Sequence, residues 1–263
     1  MDRVPAPDTS PHLTKFGGWV ALPTLISVEA LARAGMDFVT LDLQHGALDF
    51  HDAAAAIQLL DALGVESLVR VAAAELPSVS RFLDFGVSGV IVAVVESAAS
   101  AAAAIDAARY QPDGIRSYGG QRYGLRAEPS KVRSIKPAIY AMIETAGGVD
   151  ELDAIAATPG LAGLFVGPMD LALALGAEPG HGPESRRWQG VITRVLALGR
   201  THHLETGMVA ADGEEAARWA SRGFSRVVIG SDVGLLRHVI AFELARARGA
   251  SDATTAVRGS TVL

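Results

Sequence analysis

Short apolar runs alternate with alanine-rich helical stretches from Gly18 to Arg248, and no other feature limits the fold as strongly. The strand candidates are Gly18–Leu22, Phe38–Leu43, Ser67–Val71, Val90–Val94, Ala138–Ile143, Leu161–Val166, Thr206–Ala210 and Arg226–Ile229. Most are near-continuous apolar runs, the pattern of strands covered on both faces. Flanking glycines and β-branched residues favour strand over buried helix. Helical stretches are read at Val28–Ala34, Asp52–Leu63, Ser78–Phe85, Ala99–Arg109, Val149–Ala157, Glu184–His202, Gly213–Arg222 and Val233–Arg248. Eight such alternations predict an α/β fold, a single-domain (β/α)8 barrel, with a doubly wound sheet as runner-up.

The chain has 263 residues, 49% of them hydrophobic, which is enough apolar surface for one barrel-sized core. Residues 1–15 read as an N-terminal extension, 16–248 as the barrel and 249–263 as a mobile tail. The opening Met1–Pro11 is polar and has no apolar core of a leader, so a cytoplasmic protein is expected. The net charge of −6 gives no general affinity for nucleic acid or anionic membranes. There are no cysteines, which excludes thiol catalysis and Cys-ligated metals.

In such a barrel, chemistry gathers at the C-terminal ends of the strands. The second strand ends in Asp42, followed by Gln44 and His45; the third ends in Arg70. The fifth ends in Glu144, the sixth in Gly167–Pro168–Met169–Asp170 and the eighth in Gly230–Ser231–Asp232. Glu144 and Asp170 are hard oxygen donors on neighbouring strands, suited to Mg²⁺ or Mn²⁺. Each could instead cap the next helix, Asp170 as the N-cap of Leu171–Leu175. His45, three residues after Asp42, suits a general base oriented by that carboxylate, or a loop histidine satisfied by backbone. Arg70 ends an apolar strand and needs an anion: a substrate group, Glu144 or Asp42. His51, His202, His203 and His238 fall in helical or pre-helical segments and are given no role. Gln111 to Pro129 is a long connection with three arginines and two tyrosines, read as an ordered lid or subunit contact.

Lysine is scarce: Lys15, Lys131 and Lys136 are the only three, and none ends a strand. A Schiff-base aldolase needs such a lysine, so imine chemistry is disfavoured.

Several motifs together resemble the HpcH/HpaI aldolases. They are Gly17–Gly18–Trp19, Glu29 to Asp37, Asp42–Leu43–Gln44–His45, Arg70, Leu83–Asp84–Phe85–Gly86, Arg109 to Gly119, Ile143–Glu144–Thr145 and Gly160 to Leu171. The resemblance spans Gly17 to Arg248 and implies a class II pyruvate aldolase on a TIM barrel, dependent on Mg²⁺, Mn²⁺ or Co²⁺. It implies Glu144 and Asp170 as metal ligands, His45 as base with Asp42 as its partner, and Arg70 beside the developing oxyanion. It implies Gly167 and the N–H groups of Met169 and Asp170 as the seat of the substrate carboxylate. It also implies a homo-hexamer, a trimer of dimers with the last helix exchanged, in which Asp84 approaches a neighbour's site. Gln44, Met142 and the Arg116–Arg122 stretch depart from the commoner pattern, so the implied substrate is a hydroxy-oxoacid of unspecified aldehyde. A citrate-lyase-like or oxaloacetate-decarboxylating enzyme is the alternative on the same barrel.

Overall fold

The structure, a computed structural model, describes residues 14–119, 122, 125, 136–178, 182 and 185–249. Its eight strands pair in sequence order, each parallel to the next, and β1 closes onto β8. They are β1 (Lys15–Val20), β2 (Phe38–Asp42), β3 (Glu66–Val71), β4 (Gly89–Val92), β5 (Ala138–Ile143), β6 (Gly163–Val166), β7 (Glu205–Val209) and β8 (Arg226–Ser231). The expected barrel is found, and the doubly wound alternative is excluded by the β1–β8 pairing.

Helices cover the outside: α1 (Leu25–Arg33), α2 (Phe50–Leu63), α3 (Leu76–Phe85), α4 (Ala98–Ala108), α5 (Ala146–Asp150) and α6 (Leu152–Ala156). After β6 come α7 (Pro168–Ala174), α8 (Arg186–His202), α9 (Gly213–Ser221) and α10 (Asp232–Ala247). The Val149–Ala157 stretch, expected as one helix, is broken at Glu151 into α5 and α6. Lys15, expected in the N-terminal extension, is the first residue of β1 and pairs with Glu66 at 2.8 Å. Most of the proposed tail lies outside the described residues, as does Lys131. So does the second half of the long connection, from 120 to 129, apart from Arg122 and Leu125. No described helix is long and apolar enough to cross a membrane.

Strand alternation divides the core in two. Outward side chains pack under the helices, among them Val39, Leu41, Val69 and Ile139. Inward ones fill the barrel: Trp19, Phe38, Leu68, Ile91, Tyr140, Met142 and Phe165. Such a filled barrel is a packed core, not a pore. Gly207 is needed for this filling, because a Cβ there would lie 2.2 Å from the Phe165 ring.

The barrel floor is charged but closed. Arg226 donates to Glu205 at 2.7 Å and to Glu66 at 2.8 Å, and the Tyr140 hydroxyl donates to Glu205. Burial opposes a charge on Glu205, but the Arg226 and Tyr140 bonds outweigh it and hold the carboxyl below its ordinary value. This end therefore locks the strand starts together and leaves the opposite rim for chemistry.

Candidate active site

The same period of two that buries Phe38 and Thr40 turns Asp42 inward at the top of β2. Asp42 is in register with Arg70 of β3, so the two side chains meet across adjacent strands. Arg70 Nη2 donates to Asp42 Oδ2 at 2.6 Å and Nε donates to Oδ1 at 3.0 Å, a bidentate pair. The Trp19 indole N–H donates to the same carboxylate at 3.2 Å, and its ring lies 4.9 Å from the Arg70 guanidinium. Burial opposes ionisation of Asp42, but Arg70 above all, with the His45 N–H and Trp19, holds its carboxyl below the usual value.

This corrects one expectation. Asp42 is the partner of Arg70, not of the His45 imidazole. It reaches His45 only through the backbone, accepting the N–H groups of Gln44 and His45 at 3.1 Å each. That Asx-type turn fixes the loop after β2 and carries the exposed imidazole to the rim. Asp42 was one of the three anions the sequence offered for Arg70, and strand register brings that arginine, 28 residues away, into reach.

Glu144 follows β5 and continues the inward series Tyr140, Met142. Its Oε1 accepts the N–H of Val94 at 2.8 Å. Burial raises the Glu144 carboxyl above its ordinary value; the Asp170 charge adds to this, while the Val94 bond and Arg70 act against it. Gly167 presses against the same carboxylate: a Cβ there would stand 2.3 Å from Glu144 Oε2. Gly167, not Asp170, is the N-cap of α7, so Asp170 sits exposed in the first turn with its side chain free of any cap bond. The capping alternative for Asp170 is thereby excluded. Thr145, by contrast, is a cap: its hydroxyl accepts the Gly148 N–H at 3.0 Å at the start of α5.

These residues surround a cleft of about 270 Å³ lined by Gln44, His45, Val94, Glu144, Thr145, Ala146, Asp170 and Ala174. Glu144, Asp170 and His45 thus converge on one opening. Arg70 is not in its lining; its side chain is 11% exposed and held by Asp42, close enough for its charge to act on Glu144. Met169 is half-buried at the start of α7, beside the cleft but not in its lining. Asp84 is apart from it: on α3, it accepts from Arg116 at 2.6 Å. Of the four histidines given no role, none lines the cleft.

Two contributors escaped sequence reasoning. Trp19 was visible as part of a motif, but its contact with Asp42 and Arg70 depends on how β1 to β3 are aligned. Val94 adopts φ 57°, the left-handed region, where a β-branched residue is an outlier costing on the order of 1–3 kcal/mol. Nothing in the sequence signals it.

Two carboxylates face the cleft with no hydrogen bond or ion pair to a cation among the described residues. Among the described residues no three His, Asp or Glu side chains stand close enough together to hold a metal ion by themselves, so the two carboxylates are the protein's oxygen donors here. A site of two carboxylates, completed by water and substrate oxygens, fits an oxygen-loving divalent cation such as Mg²⁺.

Comparison with known proteins identifies the family to which this barrel belongs. The model of the HpcH/HpaI aldolase/citrate lyase family matches residues 15–239. A 5-keto-4-deoxy-D-glucarate aldolase from Klebsiella pneumoniae is 35% identical over 232 residues, 86% of this chain and 89% of that one. One of the same name from Shigella dysenteriae is 34% identical, covering 85% of this chain and 88% of the relative. The crystal structure of an HpcH/HpaI aldolase/citrate lyase family protein from Burkholderia cenocepacia superposes with a TM-score of 0.83 at 31% identity. That match covers 90% of this chain and 95% of the other. The chain is a carbon–carbon lyase of the aldolase type and belongs to the HpcH/HpaI aldolase/citrate lyase family.

Proposed function

We propose that this chain cleaves 4-hydroxy-2-oxoacids to pyruvate and an aldehyde, reversibly, with a divalent metal ion. The observation that carries this reading is the convergence of Glu144, Asp170 and His45 on one cleft at the strand ends. Glu144 and Asp170 would hold Mg²⁺, Mn²⁺ or Co²⁺. When bound, the ion supplies Lewis-acid polarisation of the 2-oxo group.

His45 is the general base. In cleavage it takes the proton of the 4-hydroxyl, and in addition it returns that proton. Its exposure on a loop pinned through Asp42 suits a group that must meet substrate and exchange protons with water. Arg70 brings a fixed positive charge beside the developing enolate oxygen. The bidentate Asp42 pair and the Trp19 ring prevent the guanidinium from swinging, so little reorganisation is needed when charge develops. Gly167 leaves space against Glu144, and the N–H groups of Met169 and Asp170 seat the substrate carboxylate. The described lysines agree with this chemistry. Lys15 begins β1, at the end remote from the cleft, and Lys136 precedes β5.

The relatives named for 5-keto-4-deoxy-D-glucarate support the substrate class. Counted from its keto end, that compound is a 2-oxo acid with a hydroxyl at carbon four. We further propose a cytoplasmic homo-hexamer, with Asp84 directed toward a neighbour's site. The exposed apolar side chains of α10, Leu236, Val239, Ile240 and Leu244, support burial between copies.

The test is pyruvate release from a panel of 4-hydroxy-2-oxoacids, with and without EDTA. Release that stops on chelation and returns with Mg²⁺, Mn²⁺ or Co²⁺ supports the reading. Undiminished release in EDTA after dialysis overturns it, and a requirement for a CoA thioester redirects it to a citrate-lyase reaction.

A further inference from the structure

The terminal helix α10 buries one residue along its length, and that residue is an acid: Asp232, 5% exposed. Its carboxylate is not needed as a helix cap. Ser231 fills that role, its hydroxyl accepting the Gly234 N–H at 3.0 Å. Nor does it close the barrel, because the β1–β8 ladder runs from Lys15 opposite Arg226 to Trp19 opposite Ser231 and ends before it. The carboxylate reaches the segment after β1 instead. Oδ1 accepts the Ala21 N–H at 3.0 Å, and Oδ2 accepts the Leu22 N–H at 3.2 Å and the Ser27 hydroxyl at 2.7 Å. Oδ1 also accepts the Val233 N–H at 2.9 Å. A carboxylate matches this set of donors, because it accepts on both oxygens where an amide accepts on one.

Ala21 is in turn a support for the loop that carries His45. Its carbonyl accepts the Ala47 N–H at 2.8 Å. Gly46 lies close against it: a Cβ there would stand 3.2 Å from Ala21 Cα. His45 is therefore held from both sides. Asp42 accepts its own N–H at 3.1 Å, and Ala21 holds the chain two residues on. Arg70 and Trp19 fix the first anchor, and Asp232 fixes the second.

We propose that Asp232 is a positioning residue for the general base: it immobilises Ala21, and through Ala21 the loop that presents His45 to the cleft. The proposal rests on the aldolase reading above, in which His45 moves the proton of the 4-hydroxyl. Without the carboxylate, the N–H groups of Ala21 and Leu22 lose their acceptor, and the segment must shift to find another. His45 shifts with it, and misplacing a reacting group by about 1 Å costs on the order of 100-fold in rate. The bonds of Asp232 go to the β1–α1 segment and to its own helix, and none to β5 or α7, which lead to Glu144 and carry Asp170. The two carboxylates of the cleft are thus left in place.

The test compares wild type, Asp232→Ala, Asp232→Asn and Ser231→Ala, with folding verified by circular dichroism. Asp232→Ala should lower kcat for pyruvate release at least tenfold, with the substrate KM moving less than threefold. Asp232→Asn keeps one acceptor oxygen and should lose at least threefold. Mn²⁺ affinity should stay within twofold in both. Hydrogen–deuterium exchange over residues 43–49 should quicken at least tenfold in Asp232→Ala, with no change across β5 and α7. Ser231→Ala weakens the start of the same helix without touching Ala21, so it should lower the melting midpoint and leave kcat within twofold. A kcat within twofold of wild type in either folded Asp232 variant overturns the proposal. Unchanged exchange over residues 43–49 does so too, as does a fall in Mn²⁺ affinity equal to the fall in kcat. A wild type that releases no pyruvate overturns the aldolase reading itself, and the exchange comparison then decides the coupling alone.

Discussion

Replacing Gly167 with alanine adds one methyl group at the tightest point of the site. The backbone there has φ −90°, which alanine adopts freely, so the effect is steric and not conformational. The new Cβ would stand 2.3 Å from Glu144 Oε2, whereas ordinary contact begins at 3.4 Å. The carboxylate must therefore retreat by about 1 Å, yet its other oxygen is held by the Val94 N–H at 2.8 Å. Misplacing a reacting group by about 1 Å costs on the order of 100-fold in rate. Overpacking of this kind also costs about 1–3 kcal/mol, which for a domain of this size lowers the melting midpoint by roughly 2–10 °C. The assay is pyruvate release at saturating metal, with differential scanning fluorimetry on the same samples. Gly190→Ala on α8 is the control: nothing lies within 4 Å of its Cβ, so activity should hold and stability rise slightly. A Gly167→Ala protein with kcat/KM within threefold of wild type and an unshifted midpoint would refute the reasoning.

Three further outcomes are expected. Asp42→Asn leaves Arg70, 11% exposed, without its anionic partner and should cost about 3 kcal/mol in urea unfolding; a loss below 1 kcal/mol contradicts the pairing. His45→Ala should lower turnover by about 100- to 10,000-fold while pyruvate binding, followed by calorimetry, persists; an equal loss of both would make His45 a binding group. Glu205→Gln tests the barrel floor. Because Glu205 is depressed in the folded state, its stabilisation is present above the unfolded value near 4.3 and disappears as pH falls through the lower folded value. Wild type should thus melt above the variant at pH 7, the gap closing below about pH 4; a gap independent of pH contradicts the linkage.

The barrel was legible because most strands are buried on both faces and so read as near-continuous apolar runs. The charged residues at the strand ends were legible for a related reason: Asp42, Arg70 and Glu144 interrupt or end those runs with charge. What they bond to was legible only in part: Asp42 was one of three anions offered for Arg70, and the register of β2 against β3 makes the choice, leaving His45 its backbone bond alone. Val94 was read as ordinary strand because valine favours extended backbone, and its turn is imposed by Glu144 and the two adjoining strands. Helix ends blurred similarly: α7 begins at a proline whose cap, Gly167, bonds through no side chain.

Metal occupancy set against turnover tests the account most directly. Mn²⁺ titrated into chelated protein should bind once per chain, and pyruvate release should rise in proportion to the bound ion. Glu144→Gln and Asp170→Asn should each lose both together. Full turnover at zero occupancy, or Mn²⁺ bound with wild-type affinity by the double variant, would contradict the placement of the reaction between these two carboxylates.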